Sequence, residues 1–379
     1  MTTLEQTVER KDVLKDVRRF VLKLGTRVVT VHNNELDRVL IDRVAKEVAG
    51  LMKDGYTVAI VSSGAVGAGM GRLGLKERPL RIPELQATAA VGQGLLMNAY
   101  KLAFRAYDVP IGQVLLTDDG LEDRWRYVNA KNTLDALFRF GAVPIINEND
   151  SVAVEENKVG DNDRLSALVT HLVEARLLIT YTTVDGLFTA DPSQCPDAHH
   201  IPVVETVTPE MIAAAGEARG AVSLGGMRTK LHAAMSVTQS GGAVVIADGR
   251  QASLREILDG AEIGTLFLPN SSQIQGRKRW LANTRKKGVV VVDAGAVTAL
   301  KERGKSLLAS GIVRVSGAFD AGELIVIADE SGDEIARGLV RYGAGEVKRI
   351  QGKRSDEIAA ILDGRIAEAV IHRDDMVIL

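Results

Sequence analysis

Short apolar runs alternate with longer stretches of helical period through the first two-thirds of the chain. Phe20–Leu24 (FVLKL), Thr57–Val61 (TVAIV), Ile111–Leu116, Ala142–Ile146 (AVPII), Leu177–Thr180 and Ala243–Ala247 read as strands. Leu40, Val44, Val48 and Leu51 recur at helical spacing until Asp54-Gly55 ends the run. Glu84–Tyr107, Asn132–Phe140, Asp163–Glu174 and Met227–Gln239 read as further helices. The alternation predicts an α/β fold with an open, mainly parallel sheet between helices over residues 20–270. Residues 1–19 read as a polar leader.

The texture changes near residue 270. Residues 271–287 are polar, basic and turn-rich, which predicts a linker. Short β-like runs follow at Val289–Val292, Gly311–Val315, Glu323–Ala328 and Ile335–Val340. Closely spaced turn residues separate them, so a small β-rich barrel or sandwich is predicted over residues 288–379. A length of 379 residues also suits two domains better than one.

Composition narrows the function classes. With 47 basic and 49 acidic residues, bulk electrostatic binding to nucleic acid or anionic membrane is excluded as the main task. Aromatic residues are 4%, so base-stacking platforms are scarce. One cysteine, Cys195, excludes an intramolecular disulfide and a cysteine-rich zinc site. No apolar run approaches the ~18 residues of a membrane span. The N-terminal residues lack the apolar core of a signal peptide. We therefore expect a soluble, cytoplasmic protein with no membrane partner.

In open parallel α/β sheets, ligands bind beyond the carboxyl ends of the strands. Six groups fall there: Lys23-Leu24-Gly25-Thr26, Ser62-Ser63-Gly64-Ala65, Asn147-Glu148-Asn149-Asp150, Gly160-Asp161-Asn162-Asp163, Tyr181-Thr182-Thr183 with Asp185-Gly186, and Gly225-Gly226-Met227-Arg228-Thr229-Lys230. The set is glycine, lysine, small hydroxyl, carboxylate and amide, without histidine. It suits positioning and charge neutralisation more than proton relay, as phosphoryl transfer requires. Lys23 is the sharpest anomaly, because a lysine at a buried strand end is costly unless paired or liganded. Lys230 in the first turn of a helix opposes the helix dipole.

Three decoys carry less. Gly69-Met70-Gly71-Arg72-Leu73-Gly74 matches G-x-G-x-x-G but lies seven residues beyond its strand, where a dinucleotide fingerprint would adjoin it. His372-Arg373-Asp374 has the letters of a protein-kinase catalytic loop without its later partners. His199-His200 lie in a Pro-flanked loop without neighbouring ligands at metal spacing.

Several segments resemble one known family. VLKLGTRVVT, VSSGAVGAG, AAVGQGLL, GQVLLT, RYVNAKNTLDAL, VPIINENDSVAV, KVGDNDRLSALV, GLFTADP and GGMRTK are similar to the glutamate 5-kinases (γ-glutamyl kinases) of the amino-acid kinase superfamily. INEND at 146–150 followed by VGDND at 159–163 is the most specific pair. The segment from Val289 to about Glu368 resembles a PUA domain. Together they cover nearly all of the chain past residue 19.

The resemblance implies phosphorylation of the γ-carboxylate of L-glutamate by ATP with Mg²⁺, the first step of proline synthesis. It implies L-proline as feedback inhibitor, glutamate-5-semialdehyde dehydrogenase as the recipient of a labile acyl phosphate, and a homo-oligomer. Carried onto this sequence, Lys23 and Lys230 flank the transferring phosphoryl group and Asp163 orients them. Ser63, Gly64, Asp150, Asp161 and Asn162 meet glutamate, with Asp150 and Asp161 gripping its ammonium. Lys23, Thr182, Thr183, Leu224, Gly225, Gly226, Met227, Arg228, Thr229 and Lys230 hold ATP. The metal ligands are not specified. The sequence departs from the family pattern at Thr183, where an Asp is usual, and in the Ser223–Met227 loop, which is shortened and has Leu224 in place of a Thr. A PUA module also admits a second reading, an RNA-binding accessory protein. It is disfavoured because residues 288–379 carry 12 basic and 15 acidic residues. The basic stretch Arg277–Lys287 then reads as a solvated strap.

Overall fold

The computed structural model describes residues 9–31, 34–122, 124–152, 162–190, 192, 195–215, 226–270, 287–362, 369–373 and 376–378. The chain divides into two compact units, Met1–Ser271 and Ser272–Leu379.

The first unit opens with α1 (Arg10–Leu14), β1 (Arg19–Leu24), α2 (Thr26–Val29), α3 (Arg38–Lys53), β2 (Thr57–Ser62), α4 (Ala65–Leu73) and α5 (Ile82–Arg105). It continues with β3 (Ile111–Leu116), α6 (Asp118–Glu122), α7 (Arg124–Arg139), β4 (Val143–Glu148), a 3₁₀ turn at Asp150–Val152, α8 (Asn162–Leu172) and β5 (Leu177–Thr182). It closes with β6 (Leu187–Phe188), β7 (His200–Ile201), β8 (Val203–Val204), α9 (Pro209–Ala214), α10 (Met227–Gln239), β9 (Ala243–Asp248), α11 (Leu254–Leu258) and β10 (Thr265–Phe267). The main sheet runs β3-β4-β2-β1-β5-β9-β10-β8. From β3 to β9 the neighbours are parallel, and β10 is antiparallel to β9. The chain leaves β1 toward β2 and later crosses to β5 on its other side, so the strand order reverses at β1/β5. A ligand crevice is expected outside the carboxyl ends at such a reversal.

The strand period of two explains why the runs look continuously apolar. Phe20, Leu22 and Leu24 enter one core with α3, α5 and α11, whereas Val21 enters a second core with α8 and α10. Lys23 shares the parity of Val21. It therefore projects toward the layer built by Leu165, Val169 and Leu172 of α8 and Leu231, Ala234 and Val237 of α10. The N-terminus of α8 supplies its partner Asp163, to which the N-terminus of α10 adds Lys230.

Two features lie outside the periodicity reading. Residues 65–73 form a helix although three of them are glycine. A Cβ on Gly69 would stand 1.9 Å from the Thr88 carbonyl oxygen, and one on Gly92 would stand 1.8 Å from that of Ala65. Thus α4 and α5 pack backbone against backbone, and glycine is what allows it. In the stretch read as a leader, Leu14 and Val17 are buried in the first core. The Arg10 guanidinium donates to the carbonyls of Ala261, Ile263, Pro202 and Gly264, tying α1 to the β8–β10 edge.

The second unit holds a five-stranded sheet of β11 (Gly288–Val292), β12 (Ile312–Gly317), β13 (Leu324–Ala328), β14 (Glu334–Leu339) and β15 (Met376–Ile378), in the order β12-β11-β13-β14-β15. Helix Ala294–Lys301 follows β11, and its start is capped by Asp293, whose carboxylate accepts from the Ala296 N–H at 2.7 Å. The core of this unit is its own, including Val290, Val292, Ile325, Ile327 and Val347. Among the described residues, no helix of either unit is long and apolar enough to cross a membrane.

Candidate active site

Three charges meet beyond the carboxyl end of β1. Lys23 Nζ donates to Asp163 Oδ1 at 2.5 Å, and Lys230 Nζ donates to Asp163 Oδ2 at 3.1 Å. The Thr229 hydroxyl donates to the same Oδ2 at 2.6 Å, and Lys230 also reaches the Gly226 carbonyl at 3.3 Å. Lys23 is 3% exposed, Asp163 1% and Lys230 8%. Burial alone would raise the Asp163 carboxyl. The charges of Lys23 and Lys230, with their hydrogen bonds and that of Thr229, override it and hold Asp163 well below the usual carboxylate range. Asp163 also lies in the first turn of α8, where the helix dipole favours an anion. It is a fixed negative bridge and a poor proton acceptor.

Beside the bridge is a small cleft lined by Thr26, the Gly64–Gly67 segment, Arg78, Asn147, Asp150 and Asn162. Asn162 and Asp163 are neighbours on α8, so one helix end serves both the cleft and the lysine pair. The Asn162 amide donates to Ser62 O at 3.1 Å, Ser63 Oγ at 3.2 Å and Asn147 Oδ1 at 2.8 Å. Asn147 in turn donates to Gln93 on α5 at 2.8 Å, and Ser62 Oγ meets the Tyr100 hydroxyl at 2.8 Å. The floor is thus a polar network fixed to a long helix. Two acceptors are left over: Asp150 Oδ1 and Asn162 Oδ1 are buried without a partner among the described residues. Asp150 is 7% exposed, and burial pushes its carboxyl up to about 6, which the Arg78 charge only partly offsets. An orphaned buried acceptor is expensive and signals a ligand that donates.

Gly64 makes the turn into α4 at φ 103°, and a Cβ there would meet Val29 at 2.5 Å. α4 and α10 both begin on glycine, with no side chain capping their first N–H groups. By contrast, α3, α9 and α11 are capped by Asp37, Thr208 and Ser253. The uncapped ends keep donors for anionic oxygens.

The sequence-derived residues fall into groups. Lys23, Asp163, Thr229 and Lys230 converge. Gly64, Asp150 and Asn162 line the cleft, and Ser63 braces it through Asn162. Thr182 ends β5 half-buried, on the other side of β1 from β2, and Thr183 beside it is exposed. Gly226 and Met227 start α10, and the Arg228 side chain is exposed. Asp161, Leu224 and Gly225 lie outside the described residues. Arg78, Asn147, Gln93 and Tyr100 were not singled out as site residues. Asn147 had a signal, its place in the group after β4. Gln93 falls in the AAVGQGLL segment without a role read for it, and Arg78 and Tyr100 had no signal, because only the fold brings them to the cleft.

The amino acid kinase family model matches residues 18–248, and the PUA domain model matches residues 288–362. A glutamate 5-kinase of Geobacter sulfurreducens is 48% identical over 98% of this chain and 100% of its own. The chain belongs to the glutamate 5-kinase family of amino acid kinases. Other glutamate 5-kinases agree, from Moorella thermoacetica at 48% identity over 97% of each chain and from Citrifermentans bemidjiense at 49% over 98% of this chain and 100% of its own. Among solved structures, a carbamate kinase from Giardia lamblia bound to AMP-PNP aligns at 16% identity and TM-score 0.49 over 68% of this chain and 100% of its own. That likeness is too loose to add to the family's sequence matches.

Proposed function

We propose that this member of the glutamate 5-kinase family transfers the γ-phosphoryl group of ATP to the γ-carboxylate of L-glutamate, the first step from glutamate toward proline. The observation that carries the reading is the buried Lys23–Asp163–Lys230 bridge standing beside a cleft with unsatisfied acceptors. Asp163 holds both ammonium groups where charge disperses over the phosphoryl oxygens in the transition state. A γ-carboxylate oxygen attacks phosphorus, the bond from phosphorus to the bridging oxygen of ADP breaks, and ADP leaves with that electron pair. No proton moves, because the attacking carboxylate is already ionised near neutral pH. This agrees with a cleft lining without histidine and with an Asp163 too acidic to act as a base.

In this reading Ser63, Gly64, Asp150, Asp161 and Asn162 hold glutamate. Lys23, Thr182, Thr183, Leu224, Gly225, Gly226, Met227, Arg228, Thr229 and Lys230 hold ATP, over the β5 side of the sheet. Among the described residues no three His, Cys, Asp or Glu side chains gather as a metal site. We therefore take Mg²⁺ to arrive on the phosphates of ATP, a mode in which the protein need supply few ligands. L-Proline shares the α-carboxylate and an α-ammonium with glutamate and lacks the reacting group, so it is assigned to the same cleft as an inhibitor. Residues 20–270 form the catalytic domain, 271–287 the linker and 288–379 an appended PUA module. The enzyme is placed in the cytoplasm as a homo-oligomer, handing its labile product to glutamate-5-semialdehyde dehydrogenase. The test is trapping with hydroxylamine. γ-Glutamyl hydroxamate should form only with both ATP and glutamate, and less with proline added. ADP release without hydroxamate would refute carboxyl phosphorylation.

A further inference from the structure

Among the described residues that line the cleft, Arg78 is the one cation and Asp150 the one anion. Arg78 comes from the segment between α4 and α5 and is half-buried. It lies close enough to Asp150 for each charge to move the other's protonation. Among the described residues, Asp150 Oδ1 nevertheless has no hydrogen bond. The Asn162 amide nitrogen is spent on three acceptors, so its free oxygen also needs a donor. The Asp150–Asn162 end therefore suits a small cation rich in N–H groups. Arg78 brings the opposite chemistry to the cleft, a cationic guanidinium whose N–H groups suit a carboxylate. An ammonium and a carboxylate on adjacent atoms are what an α-amino acid presents.

We propose that Arg78 is a specificity-determining residue that binds the substrate's α-carboxylate while Asp150 and Asn162 take its α-ammonium. The inference rests on the proposed glutamate kinase activity and deepens it. With the α-carbon held this way, the side-chain carboxylate extends toward the neighbouring Asp163 and its two lysines. The site then selects α-amino acids by both charges rather than by length alone. Arg78 as a mere counter-charge to Asp150 is the competing role, and it makes no contact with the substrate carboxylate.

The experiment compares L-glutamate with L-glutamate α-amide, which keeps the reacting γ-carboxylate and loses the α-carboxylate. Steady-state kcat/KM is measured at saturating ATP for the wild-type chain, Arg78→Gln and Arg78→Lys, with thermal melting as a folding check. The wild type should prefer glutamate by roughly 10- to 100-fold, the range for a hydrogen-bonded charge. Arg78→Gln should lose that factor on glutamate and leave the α-amide essentially unchanged. Arg78→Lys should keep part of the preference, and KM for ATP should stay the same. Equal losses on both substrates, or a preference that survives Arg78→Gln, would overturn the assignment. Absence of glutamate-dependent ADP formation in the wild-type chain would instead overturn the activity, and the inference with it.

Discussion

Two carboxylates near the start of the same helix are treated in opposite ways. Asp163 has every oxygen engaged by lysine or threonine and is held far into its charged form. Asp150 is also buried, yet among the described residues one of its oxygens has no partner, and its carboxyl is pushed up to about 6. The first is finished before any ligand arrives, as preorganised electrostatics requires. The second is incomplete, and in the proposed reading the bound amino acid completes it. Both are buried, and the number of counter-charges and hydrogen bonds decides which role each carboxylate takes.

Breaking the finished side should have the largest effect. Asp163→Ala leaves Lys23 and Lys230 as uncompensated buried charges, so activity should vanish and the first unit should lose about 3–5 kcal/mol. Denaturant unfolding would show it, and an unchanged midpoint would contradict the bridge. Lys230→Ala should lower kcat by roughly 10²–10³-fold with a small change in KM for glutamate. A KM effect without loss of kcat would remove Lys230 from phosphoryl stabilisation.

Breaking the incomplete side should act on binding. Asp150→Asn should raise KM for glutamate by roughly 10- to 100-fold and leave KM for ATP near its original value. Parallel rises in both constants would count against a grip on the amino acid. Acidity sharpens the same contrast. Asp150 must be ionised to hold an ammonium, so KM for glutamate should climb as pH falls through about 6. The two groups also carry opposite stability signs. A folded pKa raised above the usual value makes Asp150 a burden once ionised, relieved as pH falls through about 6. A depressed one makes Asp163 a contributor above the usual carboxylate range, lost only in stronger acid. The smallest effect is expected at Thr229, whose hydroxyl is the third partner of Asp163. Thr229→Val should lower kcat by less than about tenfold, and Thr229→Ser should restore it.

Much of the finished side was legible. Lys23 stands out because a cation interrupts an apolar strand, and the observed strand covers it at Arg19–Leu24. The helix expected from Asp163 begins at Asn162, and the one expected from Met227 begins there. The parity of Lys23 with Val21 then fixes which layer its partners must come from. The incomplete side was less legible. Asp150 and Asn162 could be named from their motifs, but nothing local says that an oxygen of each stays unpaired. Helix α4 was invisible to periodicity, since its glycines read as turns until α5 is laid against them.

The alternating layers, the parallel sheet, the β-rich second unit and the lysines and carboxylates at the strand ends are all written in the order of residues. These depend on local period and on residue type, which a chain carries with it. Folding had to bring Arg78 near Asp150, set Gln93 and Tyr100 as braces of the cleft, and engage both oxygens of Asp163 but not both of Asp150. Those facts are sums over neighbours distant in the chain, and the charge of a buried carboxylate is set by that sum.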